Sequence, residues 1–174
     1  MVRMLRSKEE LNSILNEIEK LFPNAGCELN YNNVFELLIA VMLSAQTTDK
    51  SVNIVTPNLF KKYPTAYELG NANVDDVKEI IKRIGLSSTK SKNIIATSKI
   101  LALKYDGNVP KDLIKLTELP GVGRKTANVV MSEGFKVPRI AVDTHVARVS
   151  KRLGIAKNSD DVLIIEKKHI LIYN

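Results

Sequence analysis

The chain has 174 residues, 44% hydrophobic and 26% charged, with 8 Gly and 6 Pro, which excludes a disordered or fibrous chain and fits one domain or two small lobes. Its 26 Lys and Arg against 19 Asp and Glu give a net charge of +7. Residues 1–87 hold 10 basic and 11 acidic side chains and residues 88–174 hold 16 and 8, so the positive excess lies in the second half and favours a polyanionic partner.

Ser7-Lys8-Glu9-Glu10 has the form of a capping box and opens an amphipathic helix through Leu11, Ile14, Leu15, Ile18 and Leu21. Early charge without an apolar segment argues against a secretory signal. Residues 22–33 carry the Pro, Gly and Asn of a loop and also Cys27, the single cysteine. One thiol excludes an intrachain disulfide or a site of several thiolates, and points to a reducing compartment, the cytoplasm. The apolar run from Leu37 to Ala45 predicts a buried helix over 34–45, about half the length of a membrane span.

Polar Gln46-Thr47-Thr48-Asp49-Lys50 leads into a helix through Val52, Val55, Leu59 and Phe60 that ends near Tyr63-Pro64. Asn73 to Asp76 cap a helix carrying Val77, Ile80, Ile81 and Ile84, with Gly85 placed as its C-terminal glycine. A helix after Leu86-Ser87-Ser88 runs to Tyr105-Asp106-Gly107, and others cover about 111–118, 124–134, 144–153 and 159–171. No strand alternation or internal repeat is present, so the expected class is all-α.

The most specific segment is Leu116 to Val130. Gly121-Val122-Gly123 between two helices allows a tight turn that presents backbone N–H groups at the start of the second helix, an arrangement suited to a phosphate. Glycines serving helix packing alone are the simpler alternative. A nucleotide-binding P-loop is excluded by spacing and by the lack of a preceding strand, so no nucleotide cofactor is expected. Asp143, just ahead of the helix through Val146, Val149 and Leu153, reads by itself as an N-cap.

Leu119-Pro120-Gly121-Val122-Gly123-Arg124-Lys125-Thr126-Ala127, with Val142-Asp143-Thr144-His145 placing an Asp eighteen residues after the Lys, resembles the endonuclease III family of helix-hairpin-helix DNA glycosylases. Phe35 to Gln46 and Ile84-Gly85-Leu86 extend the resemblance over roughly residues 8 to 166. It implies a two-lobed helical glycosylase fold with DNA across the cleft. Residues 1–25 would be an N-terminal helix packing with the C-terminal lobe, 26–136 a helical barrel domain with the hairpin at about 112–134, and 137–174 an incomplete C-terminal lobe.

The resemblance also implies a chemistry. Lys125 would attack the deoxyribose C1′ of an oxidised pyrimidine nucleotide, expel the base and form a Schiff base through which β-elimination cuts the strand. Burial, neighbouring Arg124 and the positive end of the second hairpin helix would each disfavour the ammonium of Lys125. A solvated phosphate contact is the alternative role. Asp143 would stabilise positive charge at the sugar and assist proton transfer, and His145 would line the pocket. Gln46 would fill the space of the extruded nucleotide and Leu86 would wedge into the opposite strand, with a capping contact as the alternative for Leu86. Gly121, Gly123, Arg124 and Thr126 would bind DNA with the hairpin. Lys90, Lys92, Arg148, Lys151 and Arg152 are candidate phosphate contacts, or a solvated basic face.

One departure stands out. Most of the family carries Cys-x6-Cys-x2-Cys-x5-Cys ligating a [4Fe–4S] cluster, and this chain has none of the four. Ile170, Leu171 and Ile172 differ from the family helix leading to the cluster loop, so a shortened or frameshifted reading frame is expected, with no cofactor and no metal. The leading reading is a monomeric bifunctional DNA glycosylase and apurinic/apyrimidinic (AP) lyase acting on damaged double-stranded DNA in the cytoplasm, on the nucleoid, and not at a membrane. A catalytically impaired or non-catalytic hairpin DNA-binding remnant is the alternative. An adenine-specific mismatch glycosylase is disfavoured by Lys125, and a helix-turn-helix factor by the lack of a stand-alone recognition helix.

Overall fold

The computed structural model describes residues 5–173, and these form ten α-helices with no strand among them. The helices are α1 (Lys8–Leu21), α2 (Val34–Ser44), α3 (Asp49–Lys62), α4 (Ala66–Gly70), α5 (Val74–Ile80), α6 (Ser87–Lys104), α7 (Leu113–Thr117), α8 (Arg124–Val129), α9 (Thr144–Arg152) and α10 (Val162–Tyr173). None is long and apolar enough to cross a membrane. Two compact units divide the chain, Glu28–Phe135 and, separately, Met1–Cys27 with Lys136–Asn174.

In the unit Glu28–Phe135, α2 is apolar around its circumference and is buried from Phe35 to Leu43, as such a helix must be. Its start is fixed by Asn33, whose side chain accepts from the Glu36 N–H, while the Glu36 carboxylate accepts from the backbone and side-chain nitrogens of Asn32. Helices α3, α6 and α8 pack around it. A π-helical turn over Val130–Gly134 continues α8, and Gly134 lets it approach Val34 and Leu37 of α2.

Helix α4 lay outside the sequence expectation, although Thr65-Ala66-Tyr67-Glu68 spells a capping box that the structure forms. It lies so close to α6 that a Cβ on Gly70 would stand 2.8 Å from the Lys99 nitrogen. The helix expected to end at Gly85 instead ends at Ile80, and Gly85 does not adopt a left-handed conformation. Leu86 does, with φ of +61°, because the chain reverses there directly into α6.

In the other unit, Leu11 of α1, Ile155 and Ile172 of α10 form one apolar cluster; Val142, Ala156 and Ile165 form a second. The Ser7–Glu10 capping box is present, and Arg6 Nε donates to the Leu153 carbonyl at 3.0 Å. Helix α10 is also tied down by charge: the buried Lys168 ammonium meets the Asp160 carboxylate at 2.5 Å, and Arg139 reaches Glu166 at 3.7 Å. The Lys168 ammonium, together with the Lys157 N–H, holds the Asp160 carboxyl below its ordinary pKa.

Candidate functional site

The hairpin is built on an apolar floor of Leu116, Leu119 and Val122, all buried. Asp112 caps α7 by accepting from the Ile114 and Lys115 N–H groups, each at 2.9 Å. The turn closes where the Val122 N–H donates to the Leu119 carbonyl at 3.0 Å. Gly121 has φ of +76°, and a Cβ there would meet the Asn93 side chain at 2.7 Å. Backbone conformation and space therefore both require glycine. Thr97 of α6, fully buried, donates its hydroxyl to the Pro120 carbonyl at 2.8 Å and holds the turn from behind.

Beyond Gly123, which caps α8 without a side chain, Arg124 and Lys125 are exposed in the first turn and Thr126 is half-buried. A Cβ on Gly123 would meet nothing within 4 Å, so its backbone is open to an approaching group. Lys125 is exposed, where burial had been expected.

Gln46 and Leu86 both project from loop tips of this unit. Gln46 is exposed with φ of +57°, just past the end of α2, and Leu86 is 61% exposed with φ of +61° at the start of α6. Left-handed backbone at non-glycine residues is uncommon and concentrates at functional positions. Lys90 does not join them as a phosphate contact. It is buried, its Nζ donates to the Leu43 carbonyl at 2.8 Å, and desolvation pulls its pKa below the ordinary lysine value. Lys92 is exposed.

Asp143 belongs to the other unit. One oxygen of its carboxylate accepts from the His145 N–H at 3.0 Å and the Val146 N–H at 2.9 Å, the geometry of an N-cap on α9. His145 is exposed, with Nδ1 accepting from the Arg148 guanidinium at 3.1 Å. Helix α9 is amphipathic: Val146 and Ala147 pack toward the second apolar cluster. Thr144, Ala147, Arg148, Lys151 and Arg152 share a face that lines, with Asn158, a groove of about 500 Å³. Three of the candidate phosphate contacts are thus brought together on one helix face.

The cluster implied by the family resemblance needs four thiolates, and the 174 residues supply one, Cys27. Among the described residues no group of three His, Cys, Asp or Glu side chains is placed to hold a metal. This donor set does not fit an iron–sulfur cluster. Sequence reasoning missed Asn93 and Thr97, which support the hairpin; the available signal was their spacing of four residues on one face of α6.

Residues 39–170 match the HhH-GPD superfamily of base excision DNA repair proteins. The chain is 51% identical over 159 residues to Endonuclease III of Bacillus subtilis (strain 168), covering 91% of this chain and 73% of that protein. Among solved structures it resembles a trapped endonuclease III–DNA covalent intermediate with an estranged adenine, at TM-score 0.87 and 50% identity, covering 96% of this chain and 78% of that one. A non-covalent endonuclease III–DNA complex matches with the same TM-score, identity and coverage.

Proposed function

The chain belongs to the HhH-GPD superfamily of base excision DNA repair proteins and is a DNA glycosylase and AP lyase; we propose that it removes oxidised pyrimidines from duplex DNA through Lys125. The observation that carries this reading is the position of Lys125, exposed in the first turn of α8 directly after the Pro120–Gly123 turn.

The hairpin supplies the anchor. A phosphate seated against the open backbone at Gly123 meets the N–H end of α8 and the Arg124 guanidinium, which together favour an anion there. Lys92 and the α9 face of Arg148, Lys151 and Arg152 add phosphate contacts that set affinity without reading sequence. Gln46 and Leu86 then occupy the stack as the damaged nucleotide leaves it.

With the nucleotide extruded, the neutral Lys125 amine attacks C1′. The C1′–N bond breaks and the base leaves with its electron pair, taking up a proton. Loss of the C1′–O4′ bond gives a Schiff base, and removal of a C2′ proton expels the 3′ phosphate. Asp143, held at the start of α9, is the carboxylate that accepts and returns protons. A side-chain amine and a carboxylate suffice for this sequence of steps, so the reading includes no nucleotide, metal or cluster cofactor. The protein would act as a monomer on damaged DNA in the cytoplasm, at the nucleoid.

Borohydride reduction in the presence of duplex DNA containing thymine glycol tests the reading. A covalent protein–DNA adduct is expected, and none from Lys125→Gln, which should still bind the duplex. An undiminished adduct from Lys125→Gln overturns the assignment; folded protein that binds but yields no adduct supports the non-catalytic alternative.

A further inference from the structure

Lys90, Asn93 and Thr97 fall at intervals of three and four residues, one stripe along the 18-residue α6, and Leu86, the left-handed residue just ahead of the helix, precedes Lys90 by four. Each meets a different piece of the site. The Leu86 carbonyl accepts from the Lys90 N–H at 2.9 Å in the first turn, and the Lys90 side chain reaches Leu43 in the last turn of α2. Asn93 lies against Gly121, and Thr97 bonds Pro120.

Lys90 is the unusual member. Burying an ammonium is unfavourable, and an apolar side chain of the same length would fill the space without that penalty. What the ammonium adds is a charged donor at the end of a helix that has no basic residue in its last turn. The Leu43 carbonyl is among the last four of α2, which lack intrahelical donors and carry the negative end of the dipole. Three residues on stands Gln46, and four residues before Lys90 stands Leu86, both exposed with left-handed backbone. The Lys90 side chain therefore bridges the bases of the two loop tips.

We propose that Lys90 is a positioning residue for nucleotide extrusion: its buried ammonium joins the end of α2 to the first turn of α6, so that Gln46 and Leu86 enter the duplex as one unit. The proposal rests on the reading of Gln46 and Leu86 as inserted side chains. Lys90 touches neither DNA nor the reacting atoms; it acts through the two residues it aligns.

The test is a mutant cycle read by single-turnover excision of thymine glycol from duplex DNA at saturating protein, with folding followed by thermal melting. Gln46→Ala and Leu86→Ala are made singly and together, in the unsubstituted chain and with Lys90→Met, which keeps the stem and removes the donor. With Lys90 present, each single substitution should slow excision about tenfold and the pair scarcely more, as for residues that act together. Lys90→Met should itself slow excision about tenfold and render the remaining effects of the two substitutions independent. If Lys90→Met does not fold, Lys90→Gln, which retains an amide donor, goes through the same cycle and should preserve part of the coupling. A purely structural role would lower the melting temperature and leave the coupling intact, and that result overturns the proposal. So does an excision rate unchanged by Lys90→Met when Gln46→Ala and Leu86→Ala both slow it. Excision unchanged by both of those alanine variants overturns the insertion reading and this proposal with it.

Discussion

Thr97 and Pro120 are joined across 23 residues by a hydroxyl-to-carbonyl hydrogen bond of 2.8 Å that ties the hairpin turn to the middle of α6. Thr97→Val keeps the shape and removes the donor, leaving the Pro120 oxygen without it. The expected loss is about 1 kcal/mol in urea unfolding. Unchanged stability would show that the turn holds itself.

Gly121→Ala combines two faults, a φ of +76° and a Cβ placed 2.7 Å from Asn93 Nδ2. Destabilisation of about 1–3 kcal/mol is expected from the backbone conformation alone. Adding Asn93→Ala removes the amide but leaves the Asn93 Cβ at 2.9 Å, so the double variant should recover only part of the loss. Full recovery in thermal melting would mean that the backbone conformation is not strained for alanine.

Gly70 and Gly123 make opposite cases. A Cβ at Gly70 meets the Lys99 backbone at 2.8 Å, and α4 and α6 can relieve the contact only by moving apart, so Gly70→Ala should cost about 3 kcal/mol. Gly123→Ala meets nothing and should lose less than about 1 kcal/mol, the difference between glycine and alanine at a helix cap. Its effect should fall on DNA: a methyl group at the open backbone keeps a phosphate away, and fluorescence anisotropy with duplex DNA should show weaker binding. Unaltered binding would remove Gly123 from the interface.

His169 is 5% exposed, its Nε2 is 2.7 Å from the Ser150 hydroxyl, and burial lowers its pKa from the ordinary 6.5. The unfolded chain therefore takes up this proton at a higher pH than the folded one. The resulting stability is fully present above pH 6.5. It falls as the pH drops below that value and stops falling once the lowered folded pKa is passed, with a slope of at most about 1.4 kcal/mol per pH unit. Denaturation between pH 7 and pH 5 should show this decline, reduced in His169→Gln; equal slopes in both would assign it to other groups.

The helices and their caps were readable because they depend on neighbours in sequence. Ser7 with Glu10, Asn73 ahead of α5 and Asp143 ahead of α9 all cap as their local residues dictate. Thr65 with Glu68 carried the same signal for α4 and passed unrecognised. Gly85 misled because a glycine after an apolar helical run is the usual terminator, whereas here the left-handed residue is Leu86.

The site divides in the same way. The order Pro120-Gly121-Val122-Gly123-Arg124-Lys125 and the Asp at 143 determined the family and the two residues proposed for the chemistry, because a tight turn and a helix cap are local structures. Lys90 was not readable. In a run with Ser87, Ser88, Lys90 and Lys92 it has the look of a solvated lysine, and only the packing of α6 on α2 brings it to the Leu43 carbonyl and seals it from water. The packing of α6 against the hairpin turn likewise decided the roles of Asn93 and Thr97. Sequence neighbours specify helix, cap and turn through bonds a few residues long; which polar atom faces an unpaired carbonyl across two helices is set by the tertiary contact that excludes solvent from both.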